Sequence, residues 1–223
     1  MAATVVKFTA NQNDGTSGSL ATTIQATAAG SGIAVAMFWK GAETVSSVTG
    51  GGTYADSGTG KLARPTDGNL QFFGCPLVTT GTTTVTVNWS DANATNVEAF
   101  VWEVTGQNQT TLFDSVSGTG TASSGTALTT SSFTPTASGN LILSFASADP
   151  LGQPTGDTGY TVEYSPVDQG IVCQDKGFTS GAQTTTATMA NAMTKGGIMS
   201  VVINQKLTSI PPIGRFVAPV LLW

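Results

Sequence analysis

Residues 82–91, TTTVTVNWSD, decide the fold class of this chain. Val85, Val87 and Trp89 alternate with threonine and asparagine side chains, and residues two apart lie on the same face of a β-strand. The segment therefore predicts a strand with one face buried against a core and the other face in water. Valine and threonine both favour strands, which supports the same interpretation.

Four other segments carry similar strand patterning, and stretches rich in glycine, asparagine and proline, which are typical of turns, separate them. They are GIAVAMFWK (residues 32–40), NVEAFVWEVTG (96–106), NLILSFASA (140–148) and GIMSVVINQ (197–205). With the weaker patterns included, we expect roughly twelve to fourteen strands, at the spacing of an antiparallel sandwich. We predict an all-β, antiparallel β-sandwich that is jelly-roll-like, because sandwiches of this length usually have such connections.

The strand patterning continues at an even density along the chain, and no internal repeat of fixed period is visible. The best candidate for an internal boundary is TGQNQTT, residues 105–111, but strands of the same character lie on both sides of it. The polar stretch NQNDGTSGS, residues 11–19, is expected to be a loop. We expect one sandwich domain over residues 1–205 and an extended C-terminal docking arm over residues 206–223.

The composition excludes several classes of function. Only 9% of the residues are charged, the net charge is −5 and there is no histidine. The few lysines and arginines are scattered, whereas nucleic-acid binding needs them clustered. Without histidine there is no Ser-His-Asp triad, no Cys-His pair and no histidine-containing metal site. No apolar run approaches the ~20 residues of a membrane-spanning helix.

The remaining motifs do not indicate catalysis, a cofactor or a metal. DSGTGKLA, residues 56–63, departs from the phosphate-loop pattern at its first glycine and after its lysine. Glu98 and Glu103 lie on opposite faces of one strand, so they cannot act as an acid pair. Asp149 and Asp157 flank a loop that can offer oxygen ligands to Ca²⁺, but their spacing does not match an EF-hand and the commoner role of such residues is solvation. We predict a non-enzymatic protein.

Two groups of side chains leave alternatives open. Trp39, Trp89 and Trp102 can line a sugar-binding face, but their positions inside apolar or alternating strands favour core packing. Cys75 and Cys173 can form one long-range disulfide in an oxidising compartment, and they can equally be two buried free thiols.

The chain finishes with IPPIGRFVAPVLLW, residues 210–223, which carries no charge after Arg215. Chain ends are normally polar and poorly ordered, so this composition indicates a segment that is buried against something. Its prolines disfavour a helix and favour an extended arm. The alternative is that the segment folds back as the last strand of its own sandwich. The predicted partner-docking residues are Ile210, Ile213, Arg215, Phe216, Val217, Val220, Leu221, Leu222 and Trp223.

The ordered series of strand motifs resembles jelly-roll-like β-sandwich modules of bacteriophage virion proteins and bacterial surface proteins. The motifs are GIAVAMFWKGAETVSSVTGGGTY, LQFFGCPLVTTGTTTVTVNWS, VEAFVWEVTGQNQTTLFDSVSGTGTA and FTPTASGNLILSFASA, and the resemblance extends over roughly residues 33–205. It implies a structural or adhesive module without catalytic residues.

Two functions follow from this resemblance as expectations. The first is a virion structural protein, either a capsid decoration or auxiliary protein or a tail or fibre component. It would be located in the virion and would assemble, as a homo-oligomer or lattice, with copies of itself or other virion proteins. The alternative is a secreted or surface carbohydrate-binding or adhesin module. The first residues, MAATVVKFTANQND, lack the basic and apolar regions of a secretory signal, which favours the first function.

Overall fold

The computed structural model describes residues 1–65, 67–150, 152–167 and 169–206. Within these ranges the secondary structure consists of sixteen β-strands and contains no helix. The strands pair antiparallel and form several sheets that pack against each other. The predicted all-β antiparallel sandwich is therefore confirmed.

The first nine strands form two sheets, which we call the first sandwich. Its large sheet has the order β1-β9-β3-β7-β5, with β6 also paired to β7, and its small sheet has the order β2-β8-β4. The strands are β1 (Thr4–Thr16), β2 (Ser19–Thr23), β3 (Gly32–Lys40), β4 (Val45–Thr49), β5 (Ala55–Asp56), β6 (Leu62–Ala63), β7 (Asn69–Cys75), β8 (Thr84–Trp89) and β9 (Thr95–Thr105).

The last seven strands form two further sheets, which we call the second sandwich. Its large sheet has the order β10-β16-β12-β14-β13, and its small sheet is the pair β11-β15. The strands are β10 (Phe113–Ala122), β11 (Ala127–Thr129), β12 (Leu141–Asp149), β13 (Thr161–Tyr164), β14 (Ile171–Gly177), β15 (Thr186–Thr188) and β16 (Lys195–Ile203).

The two sandwiches have the same connectivity. In the large sheets, the order β1-β9-β3-β7 corresponds to β10-β16-β12-β14. In the small sheets, the pair β2-β8 corresponds to β11-β15. The chain therefore crosses between the two sheets at both ends of each set, as in a jelly roll, whereas β5–β7 and β12–β14 follow one another within a large sheet. From the sequence we expect one sandwich over residues 1–205; the described strands fall into two sets, of which the first ends at Thr105 and the second begins at Phe113.

The two large sheets pack face to face and share one core. Alternate residues of β3, such as Ala36 and Phe38, face this shared core, and so do Leu143 and Phe145 of β12. Phe100 of β9 lies across the contact, with its ring centroid 4.9 Å from that of Phe145. Because both large sheets are buried on both faces, their central strands are apolar on both faces, as the sequence of β9 shows.

The other face of each large sheet packs against the small sheet of the same sandwich. Val35 and Met37 of β3 meet Val85 and Val87 of β8 in the first sandwich. In the second sandwich, Leu128 of β11 belongs to the corresponding cluster with residues of β12 and β16. The molecule thus has four layers, in the order small sheet, large sheet, large sheet, small sheet.

Strand β1 corrects one expectation from the sequence. Residues 11–16 lie in this strand and not in a loop, because β1 continues along β9 with Ala10 opposite Phe100 and Gln12 opposite Glu98. Backbone pairing with a central strand satisfies the amide groups of a segment whose side chains alone indicate a turn.

A tight turn joins the first sandwich to the linker that leads into the second. Gly106 has a positive φ of 73°, and a Cβ at this position would collide with the backbone carbonyl of Ala2. Only glycine combines this backbone conformation with so close an approach.

Candidate functional site

The predicted docking residues lie outside the described residues, as does the rest of the chain after Lys206. The described chain ends beside the linker between the sandwiches. The amide of Lys206 donates to the carbonyl of Gly106 at 2.7 Å, and the N-terminal amine of Met1 donates to the carbonyl of Lys206 at 3.3 Å. The described chain therefore ends at the end of the large sheets at which β9 and β16 finish.

The opposite end of the shared core opens into a pocket of about 350 Å³. Polar side chains line most of it, in place of the apolar ones that fill the shared core further along. The pocket is lined by Gln12, Asp14, Phe38, Lys40, Arg64, Asn96, Glu98, Ser147, Ala148, Asp149 and Gln169. Both sandwiches contribute to it, so the pocket exists only because they are packed together.

Arg64 is the buried cation of this pocket, with only 4% of its surface exposed. Its Nη2 donates to Asp67 Oδ1 at 2.9 Å and to Asp149 Oδ2 at 3.1 Å, and its Nη1 donates to Ser147 Oγ at 3.1 Å. The guanidinium also lies 4.7 Å from the ring centroid of Phe38. Arg64 belongs to the first sandwich, and Ser147 and Asp149 belong to the second, so this side chain ties the two together.

Lys195 and Lys40 complete the charge cluster. Lys195 Nζ lies 2.8 Å from Asp67 Oδ2 and 3.5 Å from Asp149 Oδ2, and Lys40 Nζ lies 3.7 Å from Asp67 Oδ2. Burial alone would raise the pKa of Asp67, but hydrogen bonds from Lys195 and Arg64 outweigh it and hold the pKa below its ordinary value. The hydrogen bond to Asp67 in turn raises the pKa of Lys195. Asp67 and Lys195 each therefore favour the charged form of the other.

Glu98 is the half-buried acid of the pocket. It lies on the face of β9 that forms the shared core, one step beyond Phe100 toward the open end. Its carboxyl group has no hydrogen-bond partner among the described residues, and Oε2 is fully buried. Loss of hydration, together with the negative charge of Asp14, raises the pKa of Glu98 to about 8, against the opposing effect of Arg64 and Lys40.

Glu103 has a different environment on the other face of β9, as the sequence predicts. It is 3% exposed, its Oε1 accepts from the amide of Ala28 at 2.7 Å, and its Oε2 lies 3.0 Å from Lys7 Nζ. Burial acts to raise its pKa, but the hydrogen bonds from Ala28, Ser31 and Lys7 lower it. Glu103 therefore holds the β2–β3 connection against β9, and the two glutamates are not brought together.

Asp149 and Asp157 do not form the calcium site considered from the sequence. Asp149 binds Arg64, whereas Asp157 Oδ2 accepts from the amide of Thr186 at 2.9 Å. Among the residues that the structure describes, no three acidic or cysteine side chains lie close enough together to hold a metal ion.

The loop after β5 provides no phosphate site. Asp56 Oδ1 accepts from the amides of Gly58 at 2.6 Å and Gly60 at 3.3 Å. A carboxylate thus occupies the place that an anion would take in a glycine-rich loop.

The tryptophans and cysteines are structural. Trp39, Trp89 and Trp102 are at most 4% exposed, which confirms the prediction that they pack in the core. Cys75 and Cys173 are both buried free thiols, so the structure supports that alternative over a disulfide. Burial raises the pKa of both thiols.

Sequence analysis missed the pocket, although Glu98 gave a signal. An acidic residue on the inward face of an otherwise apolar strand is rare, and it marks a place where water or a ligand enters the core. The other walls come from turns and strand ends, such as Arg64 and Asp149, whose contact spans 85 residues of chain.

In comparisons with known proteins, no protein-family model, no curated protein and no solved structure matches the chain. No helix in the described part of the chain is long and apolar enough to cross a membrane.

Proposed function

We propose that this protein is a non-enzymatic structural component of a bacteriophage virion, acting as a capsid decoration or auxiliary protein or as a tail or fibre component. It assembles with copies of itself or with other virion proteins through residues 210–223. The observation that carries the proposal is the uneven distribution of apolar side chains. The large apolar side chains exposed on the described residues are few: Met1, Val6, Leu77, Val162 and Val167.

The C-terminal segment has the opposite character. Its last eight residues include six large apolar side chains and no charge. A surface that is otherwise polar and poor in charge thus leaves this segment as the main apolar element available for association.

The energetics favour assembly in many copies. Burying the six side chains yields on the order of 10 kcal/mol, at ~1.5–3 kcal/mol each. Ordering eight residues costs a similar amount, at ~1–2 kcal/mol each. Because the two nearly cancel, a single docked segment holds weakly, whereas a lattice in which every copy both gives and receives a segment holds firmly.

The fold adds support by analogy. Jelly rolls are a common architecture of virus capsid proteins, and they expose few strand edges that would aggregate without control. An analogy of fold is a weaker argument than a site, so the test concerns the C-terminal segment itself.

The experiment compares the full chain with the double variant Phe216→Asp/Leu222→Asp by light scattering and negative-stain electron microscopy. We expect ordered oligomers from the full chain, and monomers with the same melting temperature from the variant. Leu77→Asp, which places the same charge at an apolar position that is 49% exposed, serves as the control and should assemble normally.

Two results would contradict the proposal. A full chain that stays monomeric at all concentrations has no assembly function of this kind. A double variant that unfolds as a monomer shows that the segment is a strand of its own sandwich. Truncation after Lys206 checks the second result, since all sixteen described strands end at or before Ile203.

A further inference from the structure

We propose that the pocket between the two sandwiches binds a neutral saccharide, such as one sugar unit of a glycan. This inference goes beyond the proposed assembly function and rests on a different part of the molecule. The pocket volume of about 350 Å³ lies at the lower end of the usual range for small-molecule sites, which suits one or two sugar rings.

The pocket presents polar groups that the protein itself does not use. The side-chain amides of Gln12 and Asn96 and the carboxyl group of Glu98 have no hydrogen-bond partner among the described residues. Gln169 uses its Oε1 to accept from the hydroxyl of Tyr164 at 3.0 Å, which leaves its NH₂ group available. Amides and carboxyls in this mixture offer both donors and acceptors, which is what a ligand rich in hydroxyl groups requires.

The free groups lie at different depths, so a ligand can enter and be enclosed. Gln12 and Asp14 lie at the exposed rim, and Asn96 and Glu98 lie half-buried below them. Phe38, Ser147 and Ala148 form the buried floor together with Arg64. Because Glu98 lines the pocket and has no hydrogen-bond partner among the described residues, a ligand hydroxyl group that bonds to this carboxyl makes a hydrogen bond that the protein itself does not supply.

The charges of the pocket select neither an anion nor a cation. Arg64 is paired with the carboxylates of Asp67 and Asp149 and also donates to Ser147, so its charge is already balanced within the protein. The charged and titratable groups that surround Glu98 are Asp14 of β1, Lys40 of β3, Arg64 of the loop after β6, Asp149 of β12, Tyr164 of β13 and Cys173 of β14. Two of these residues are acidic and two are basic, so their charges balance, and the pKa values of Tyr164 and Cys173 are raised.

Recognition in this pocket is by hydrogen bonds and not by stacking. The ring of Phe38 is covered by the guanidinium of Arg64, and the three tryptophans of the first sandwich are buried elsewhere. A site without an aromatic platform binds a single sugar weakly, and many copies in one assembly raise the effective affinity.

The position of the pocket is compatible with such an assembly. Asn96 and Glu98 lie near the start of β9, and the described chain ends near its finish. Eleven residues of strand span about 35 Å, so a copy held by its C-terminal segment keeps the pocket at its far end.

The experiment measures binding of glucose, galactose, mannose and N-acetylglucosamine to the full chain by saturation-transfer NMR and calorimetry. Glucuronate and glucosamine serve as charged analogues. We expect at least one neutral sugar to bind at millimolar concentration and the charged analogues to bind more weakly. Failure of all four neutral sugars, or tighter binding of a charged analogue, would overturn the proposal.

Two pairs of variants locate the site. Gln12→Ala should weaken binding about fivefold through loss of one or two hydrogen bonds, whereas Gln25→Ala, at an exposed glutamine outside the pocket, should leave it unchanged. Equal effects of the two would place the ligand elsewhere and refute the assignment.

Glu98→Gln tests the carboxyl group without emptying the pocket. Wild-type affinity should fall as pH rises through the pKa of about 8, because ionised Glu98 no longer donates a hydrogen bond. Glu98→Gln keeps a donor and an acceptor at every pH, so it should bind and lose this pH dependence, while Glu43→Gln should retain it. A pH dependence that persists in Glu98→Gln would exclude Glu98 from the site.

The two proposals can fail separately. The assembly variant Phe216→Asp/Leu222→Asp should still bind the sugar as a monomer, and Gln12→Ala should still assemble.

Discussion

Phe145, at the contact between the two sandwiches, allows a quantitative prediction about stability. This side chain belongs to the second sandwich, is 0% exposed and packs against Phe100 of the first sandwich with a centroid distance of 4.9 Å. If the shared core joins both sandwiches into one cooperative unit, removal of this ring destabilises the sandwich to which it does not belong. Phe145→Ala is the perturbation that tests this.

The expected loss is about 4 kcal/mol. Replacing a buried phenylalanine by alanine typically costs ~3–5 kcal/mol, because the transfer free energy is lost and a cavity remains. The lost ring pair accounts for ~0.5–1.5 kcal/mol of that cost. For a chain of this length the melting temperature should fall by about 8–16 °C.

Tryptophan fluorescence reports on the first sandwich alone. Trp39, Trp89 and Trp102 all lie there, and Trp223 is replaced by phenylalanine in every protein compared. Far-UV circular dichroism reports on strands of both sandwiches. We expect both signals of Phe145→Ala to move together, to the same lower urea midpoint.

A separation of the two signals would refute this reasoning. If fluorescence keeps the wild-type midpoint while circular dichroism shows an earlier transition, the sandwiches unfold independently and the shared core does not couple them. A double-mutant cycle supplies the control. Phe100→Ala with Phe145→Ala should show a coupling of ~1 kcal/mol, whereas Phe100→Ala with Phe133→Ala, on the outer face of the second large sheet, should be additive.

Three further predictions concern individual side chains. Arg64→Met should lower the free energy of unfolding by about 3 kcal/mol in urea titrations, because Asp149 and Asp67 lose their buried cation and keep only the more exposed Lys195 and, for Asp67, Lys40. A loss below about 1 kcal/mol would contradict the role of this cluster. Between pH 4.5 and about 8, Glu98 is protonated in the folded protein but ionised in the unfolded chain. The free energy of unfolding should therefore decrease as the pH rises through this window, and melting curves of Glu98→Gln should lack that part of the decrease. Cys75 and Cys173 should react with a thiol reagent only after unfolding, and rapid reaction of the native protein would show that they are accessible.

Side-chain periodicity was enough to predict the fold class. Strands β3, β8, β9, β12 and β16 each carry the expected apolar pattern, and the structure places them in the centres of the sheets. Side-chain periodicity did not predict the second half of β1, because this half is polar and becomes a strand only by pairing with β9.

The repeated connectivity was hidden for a different reason. The strands correspond between the sandwiches, but the connections differ in length, and β4 and β6 have no counterpart among the described strands of the second sandwich. A search for a sequence repeat of fixed period fails when insertions fall in loops, where they cost little free energy of folding. The residues of the shared core also differ in size, as Ala36 and Leu143 show.

The pocket was the least predictable feature. Its walls come from strand ends and turns that are distant in sequence, and no local pattern records which of them meet. Arg64 lies in a segment that the sequence indicates as a turn, and its partners depend on how the two sandwiches pack. Only Glu98, an acid on an inward face, pointed to the place.

Two sandwiches that share the same connectivity and pack face to face within one chain resemble a dimer whose two subunits have been joined covalently. In a dimer of identical chains every change at the contact occurs twice. Because β9 and β16 finish at the same end of the contact, a charge introduced on one strand of such a dimer would face the same charge on the other. Fusion removes that restriction. Strand β9 carries Glu98 at the mouth of the pocket, while its counterpart β16 carries no acidic residue and begins with Lys195, which pairs with Asp67 and Asp149. Two fused sandwiches can therefore place an acid on one side of the contact and a cation on the other, which identical subunits cannot do.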